Sequence, residues 1–135
     1  MREHINILSQ AGAALVDVGE YAQALPHLLE AERLAGQIQD LDQQLSVLRV
    51  QSHCFYQMDR WDQVIQIEEK WRALEKRYPS FFRLVWASCF QVALNASVHA
   101  RRGNFERAAA LREESRAIML EADGTEERFG RDGYY

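Results

Sequence analysis

Turn-forming residues, cysteines and long apolar runs are all scarce in this chain of 135 residues. Two prolines and seven glycines are too few for a β-sandwich or β-barrel, which needs a turn about every ten residues. The longest apolar run, over 84–94, is interrupted at Ser88 and Gln91 and is much shorter than the roughly 20 residues of a membrane-spanning helix. The only cysteines, Cys54 and Cys89, form no CxxC pair and no disulfide framework, which favours a reducing compartment such as the cytoplasm.

The chain also lacks an excess of basic residues. Sixteen basic side chains against twenty acidic ones give a net charge of −4, so no global positive field attracts nucleic acid. A content of 47% hydrophobic and 27% charged residues is typical of a globular chain, and the length is that of one domain. We expect neither a nucleic acid nor a membrane as partner.

Catalytic motifs are missing as well. The sequence has no HExxH, no GxSxG, no phosphate-binding glycine loop, and no Glu followed three residues later by His, which removes the usual di-iron bundle. A zinc site built from Cys54, Cys89 and a histidine is disfavoured, because small buried cysteines are common in helical cores. We therefore expect no enzymatic activity, no cofactor and no metal ion.

One pattern occurs three times along the chain. It consists of a turn residue, a polar residue and an aromatic residue, followed three positions later by a small or β-branched residue. Each copy lies between two apolar stretches of helical period, so the pattern predicts three helical hairpins. In the third hairpin, Phe105, Ala108 and Ala109 are expected to face the first helix of the pair. Small residues also recur at one point in the first helix of each hairpin, where helices can approach closely. The copies are Gly19-Glu20-Tyr21 with Ala24, Asp59-Arg60-Trp61 with Val64, and Gly103-Asn104-Phe105 with Ala108, and the small residues are Gly12, Ser52 and Ala96.

The helices that this pattern predicts cover 3–18, 20–36, 41–58, 60–77, 80–102 and 104–122. Gly19 supplies a left-handed turn after the first helix, and Asp40 and Ser80 are N-caps. Pro26 falls inside the second helix, which it loosens without ending it. We expect a helical repeat domain over 1–122 and a flexible C-terminal tail over 123–135.

On the residues Leu8, Ala11, Gly12, Leu15, Gly19, Tyr21, Ala24, Leu28 and Ala31, the chain resembles a long-period variant of the tetratricopeptide repeat (TPR) family. The resemblance covers about 5–122 in three repeats. It weakens in the later two, where Glu68 and Arg112 replace Leu28. A period of 40–44 residues also leaves HEAT and armadillo repeats open. The resemblance implies an all-α, right-handed superhelix of three antiparallel hairpins, six helices in total.

The resemblance further implies a concave groove lined by the first helix of each hairpin. Arg49 offers a planar fork for a carboxylate, and Trp86 with Phe90 would form an apolar pocket. The alternative is a solvated helix face for the polar residues and packing between helices for the aromatic ones. Ser9 and Ala13 stand where binding of an acidic chaperone tail requires Lys and Asn, so we expect no such binding. The candidate groove residues are Asn6, Gln10, Asp17, Arg49, His53, Tyr56, Gln57, Trp86, Phe90 and Arg101, with Ser9 and Ala13 between those of the first helix.

The ends of the array lack a capping helix, which leaves Leu111, Ile118 and Met119 without an obvious cover. Either the third repeat caps itself, or the ends pack on a second copy of the chain or on another domain. The expected function is a non-enzymatic scaffold that binds a partner peptide or helix in the groove. The alternative is a sensory TPR domain of a bacterial signalling or transcription regulator, as part of a larger protein.

Overall fold

The structure is a computed structural model. It describes residues 1–79 and 88–129, and the side chains of 1–79 and 91–120. These residues form six helices and no strand, which confirms the prediction of an all-α chain. The helices are α1 (Arg2–Asp17), α2 (Tyr21–Gln37), α3 (Leu41–Gln57), α4 (Trp61–Arg77), α5 (Ser88–Arg101) and α6 (Phe105–Phe129).

The observed helix bounds agree with the predicted ones to within one residue from α1 through α4. Pro26 lies inside α2, as expected. The last helix differs, because α6 continues to Phe129 rather than ending at 122. The predicted start of the fifth helix at 80 and the N-cap Ser80 lie outside the described residues.

The chain divides into two compact units, Met1–Arg72 and Ala73–Tyr135. In the N-terminal unit, α1 packs against α2 and α3, and α2 packs against α3. In the C-terminal unit, α5 packs against α6. The division into a repeat domain over 1–122 and a tail over 123–135 stays a prediction, and the final residues 130–135 lie outside those that the structure describes.

Four helices end in the same left-handed turn. After α1, the N–H of Glu20 donates to the carbonyl of Leu15 at 2.8 Å, and the N–H of Gly19 donates to Val16 at 3.0 Å. This pair of hydrogen bonds is the Schellman motif, and equivalent bonds follow α2, α3 and α5. The left-handed turn predicted at Gly19 is confirmed. The residues with positive φ are Gly19 (82°), Gln39 (53°), Asp59 (58°) and Gly103 (83°).

Asp40 connects the N-terminal ends of α1 and α3. Its Oδ1 accepts a hydrogen bond from the N–H of Gln43 at 3.2 Å, which confirms the predicted N-cap. Its Oδ2 lies 3.0 Å from Nε of Arg2, in the first turn of α1. The two helices therefore begin at the same end of the N-terminal unit.

Burial repeats from hairpin to hairpin as the sequence pattern predicts. The small residues Gly12, Ser52 and Ala96 are all buried. The residues three positions after each aromatic, Ala24, Val64 and Ala108, are buried too. The three hairpins thus bury the same two positions of the sequence pattern.

The third hairpin departs from this rule at its aromatic residue. Tyr21 is half-buried and packs against the core of the N-terminal unit, and Cys54 of α3 lies 3.6 Å from its carbonyl oxygen. Phe105 was expected to face the partner helix, but its side chain is 72% exposed, so this prediction is wrong. The physical reason is that Ala108 and Leu111 supply the buried stripe of α6 and leave Phe105 beyond it. Ala109, expected in the same stripe, is exposed as well.

The prediction that Leu111 lacks a cover is also wrong. Leu111 is fully buried in a cluster with Val92 and Ala96, and half-buried Ile118 packs against that cluster. Met119 remains 47% exposed, as expected for an uncovered position.

Gly12 allows the closest approach of helices in the N-terminal unit. A Cβ atom at Gly12 would lie 2.6 Å from Cδ2 and 2.7 Å from Cγ of buried Leu28. We expect Gly12→Ala to lower the free energy of unfolding by about 1–3 kcal/mol, because Leu28 cannot move without disturbing the core. Gly36→Ala is the matched control. Its added Cβ would meet nothing within 4 Å, so this substitution should raise the free energy of unfolding by up to about 1 kcal/mol. Urea unfolding followed by circular dichroism measures both, and an equal shift of both variants would contradict the close contact.

The left-handed turns give a second prediction. Gln39 adopts a positive φ that costs a side-chain-bearing residue about 1 kcal/mol, so Gln39→Gly should stabilise the chain by about that amount. Gly19→Ala should destabilise it by a similar amount, although no atom lies within 4 Å of the added Cβ. Thermal and urea unfolding report both changes. A lower free energy of unfolding in Gln39→Gly would show that the positive φ of Gln39 does not cost the folded state stability.

Candidate functional site

The candidate site is a surface formed by α1 and α3 on the side that faces away from α2. Gly12 of α1 contacts Leu28, and the side-chain amide of Gln51 on α3 donates to the carbonyl of Leu28 at 3.3 Å, so both residues face α2. Each residue turns a helix by about 100°, so positions two residues away point to the opposite side. Gln10 on α1 and Arg49 and His53 on α3 therefore share one surface.

The residues of α1 that were predicted to line the groove are at this surface. Asn6, Gln10 and Asp17 are exposed, and Nε2 of Gln10 lies 3.5 Å from Oδ1 of Asn6, one turn away. Ser9 does not belong to the surface. Its side chain is buried on the packed side of α1, which corrects the expectation that it faces the groove.

The residues of α3 form the second half of the surface. Arg49, His53 and Gln57 are exposed, and Tyr56 is half-buried beside them. This arrangement agrees with the stripe predicted from spacings of four, three and one residues. We call the seven residues Asn6, Gln10, Asp17, Arg49, His53, Tyr56 and Gln57 the α1–α3 surface.

Arg49 is the distinctive charge of this surface. No carboxylate of the described residues lies within ion-pair distance of its guanidinium. Three other cations of the N-terminal unit are paired, namely Arg2 with Asp40, Arg33 with Glu30 and Lys70 with Glu32, whereas exposed Arg60, after α3, has no carboxylate partner among the described residues either. In a chain of net charge −4, an exposed arginine without a carboxylate partner leaves a local positive site available to a ligand.

A polar junction holds the helices that carry the surface. Nε2 of buried Gln51 donates to Oε1 of Glu32 at 2.9 Å as well as to Leu28, and Oε2 of Glu32 lies 2.9 Å from Nζ of Lys70 on α4. Sequence reasoning missed this junction, because an isolated Gln in a helix gives no signal of burial. The junction fixes the rotation of α3 and so the direction in which Arg49 points.

The fifth helix contributes less to the described site. Trp86 lies outside the described residues, and Phe90 lies in α5 without a described side chain. Arg101 is exposed at the end of α5, in the C-terminal unit. The predicted apolar pocket of Trp86 and Phe90 therefore stays a prediction.

The environment of Cys54 is that of a core residue. It is fully buried, and burial raises the pKa of its thiol, with a smaller lowering by the charge of Arg60. A thiol of raised pKa is a poor nucleophile at neutral pH. Within the described residues, no group of three or more His, Cys, Asp or Glu side chains could hold a metal ion.

Comparison with known proteins adds no relative: no family model, curated protein or solved structure matches the chain. None of the helices in the described ranges is long and apolar enough to cross a membrane. The α1–α3 surface therefore rests on its geometry alone.

The burial of Ser9 gives a prediction for stability. Its hydroxyl has no hydrogen-bond partner among the described residues, and such a buried group costs about 1–3 kcal/mol. We expect Ser9→Ala to raise the free energy of unfolding by at least about 1 kcal/mol. Ser97→Ala is the control, since exposed Ser97 donates a hydrogen bond to the carbonyl of Ala93 at 3.3 Å. Its free energy of unfolding should rise only by the difference in helix propensity, about 0.5 kcal/mol. Equal gains in denaturant unfolding would mean that the Ser9 hydroxyl is satisfied in solution.

Proposed function

We propose that the chain is a non-enzymatic, cytoplasmic interaction module that binds an extended segment of a partner protein on the α1–α3 surface. The observation that carries this proposal is exposed Arg49, which has no carboxylate partner among the described residues and lies on a surface shared by two helices. The resemblance to TPR repeats supports the same reading, because their first helices line a binding groove.

The chemistry of the surface suggests what the segment carries. Arg49 suits a carboxylate side chain, which it would hold through two parallel hydrogen bonds. Asn6, Gln10 and Gln57 carry amides that both donate and accept, so they suit the backbone of an extended peptide. Tyr56 adds a rigid aromatic face about two helical turns from Arg49. The expected ligand is thus a peptide that carries an Asp or Glu side chain opposite Arg49.

A random peptide library displayed on phage tests the proposal. Selection on the full chain should enrich peptides that share an Asp or Glu at one position. The selected peptides should bind Arg49→Gln about tenfold or more weakly, because a charge-assisted pair is lost. Binding should also weaken with added salt, since the pair is exposed.

Arg33→Gln is the matched control. It removes the same charge from an exposed position of α2, where Arg33 pairs with Glu30 through two hydrogen bonds, and it should leave peptide affinity unchanged. Circular dichroism verifies that both variants are folded. Enrichment without acidic residues, or equal loss in both variants, would contradict the proposed role of Arg49. Enrichment of no peptide at all would favour the sensory alternative, in which a small effector is bound.

A further inference from the structure

A second surface of the N-terminal unit carries an apolar stripe along α1. Ile7, Ala11, Ala14 and Val18 follow one another at spacings of four, three and four residues, with Val18 directly after the helix. Ile7 is 64% exposed and Val18 is 71% exposed, Ala14 is exposed and Ala11 is half-buried. We call these four residues the outer face of α1.

The outer face points away from both neighbouring helices. Arg2 reaches Asp40 and so marks the side of α1 next to α3. At about 100° per residue, Ile7 and Val18 lie about 140° and 160° around the helix from Arg2. They lie about 140° and 120° from Gly12, which faces α2. By the same count Ile7 lies about 60° from Gln10, so the outer face adjoins the α1–α3 surface along α1 without including Arg49 of α3.

The spacing of the outer face is that of a helix-packing seam. Single exposed apolar residues are normal on any protein, but residues at spacings of four and three form one continuous ridge. Two alanines between larger residues at both ends would let a second helix approach closely along about three turns. Such anchors are typical of a surface that receives an amphipathic helix.

The charges beside the outer face indicate which helix fits. Glu3 and Asp17 lie on the side of the outer face that adjoins the α1–α3 surface, and neither has a cationic partner among the described residues. A docked helix with Lys or Arg at its flanks would supply the missing cations. Pairing of α1 with α1 of a second copy would instead bring these carboxylates close to one another in either direction, which is unfavourable.

We propose that the outer face of α1 docks a basic amphipathic helix of a partner protein. The docked helix carries apolar residues at i, i+4, i+7 and i+11. These residues pack against Ile7 and Val18 at the two ends of the outer face and against Ala11 and Ala14 between them. Its flanking Lys or Arg side chains pair with Glu3 and Asp17. This site does not involve Arg49, although Asp17 belongs to the α1–α3 surface as well.

A designed peptide tests the proposal with the full chain. The probe is a fluorescent helical peptide with Leu at i, i+4, i+7 and i+11 and Lys at the flanking positions, and its binding is measured by anisotropy. We expect saturable binding that falls about tenfold or more in the double variant Ile7→Lys, Val18→Lys. The double variant Glu3→Gln, Asp17→Gln should bind about threefold or more weakly, and a probe with Glu at the flanks should bind the parent more weakly still.

Two controls distinguish the outer face from other sites. Phe105→Lys changes an equally exposed apolar residue of the C-terminal unit and should leave the probe affinity unchanged. Arg49→Gln should also leave it unchanged, so failure of the α1–α3 surface and failure of the outer face are separable. Equal binding to the parent and to the Ile7→Lys, Val18→Lys variant would overturn the proposal. Sedimentation of the parent as a dimer that this variant abolishes would also overturn it, in favour of a second copy as occupant.

Discussion

The N-terminal unit depends on one constraint, which is that a left-handed turn recurs at a regular interval along the chain. Gly19, Gln39 and Asp59 are 20 residues apart, and each closes its helix with the same pair of hydrogen bonds. Equal spacing makes α1, α2 and α3 nearly equal in length, so the chain returns to the same end after every second helix. Arg2 and Asp40 can form an ion pair only because α1 and α3 begin side by side.

Close packing then converts equal helices into a defined surface. Gly12 lets α2 approach α1 at Leu28, and Gln51 ties α3 to the same residue and to Glu32. Both contacts fix helix rotation as well as position. As a result, the side of α1 and α3 opposite to α2 is set, and Arg49 lies on it beside His53. The polar surface is thus a consequence of how the buried sides are held.

Much of this arrangement is readable from the sequence, for identifiable reasons. The turns are indicated by Gly19 and Gly103, because few other residues adopt a positive φ. The close contacts are indicated by the small residues Gly12, Ser52 and Ala96, because larger side chains would hold the helices apart. Gln39 was missed since glutamine rarely adopts a positive φ, although its place midway between Gly19 and Asp59 was a usable signal. The exposure of Phe105 and the burial of Ser9 depend on which neighbouring helices cover each side, and periodicity within one helix does not determine that. The same limit applies to the outer face of α1, which helical spacing alone does not distinguish from a core stripe.

The 20-residue interval has a consequence for how this chain can change in evolution. One residue inserted in the middle of α2 would turn the remainder of that helix by about 100° and carry Leu28 or Glu32 away from Gln51. Insertions should therefore be tolerated in the turns and eliminated from the helices, whereas substitutions at exposed positions remain free. Length variation within α2 is therefore a change that this architecture accommodates poorly, whereas ligand specificity can diversify at Arg49 and its neighbours without it.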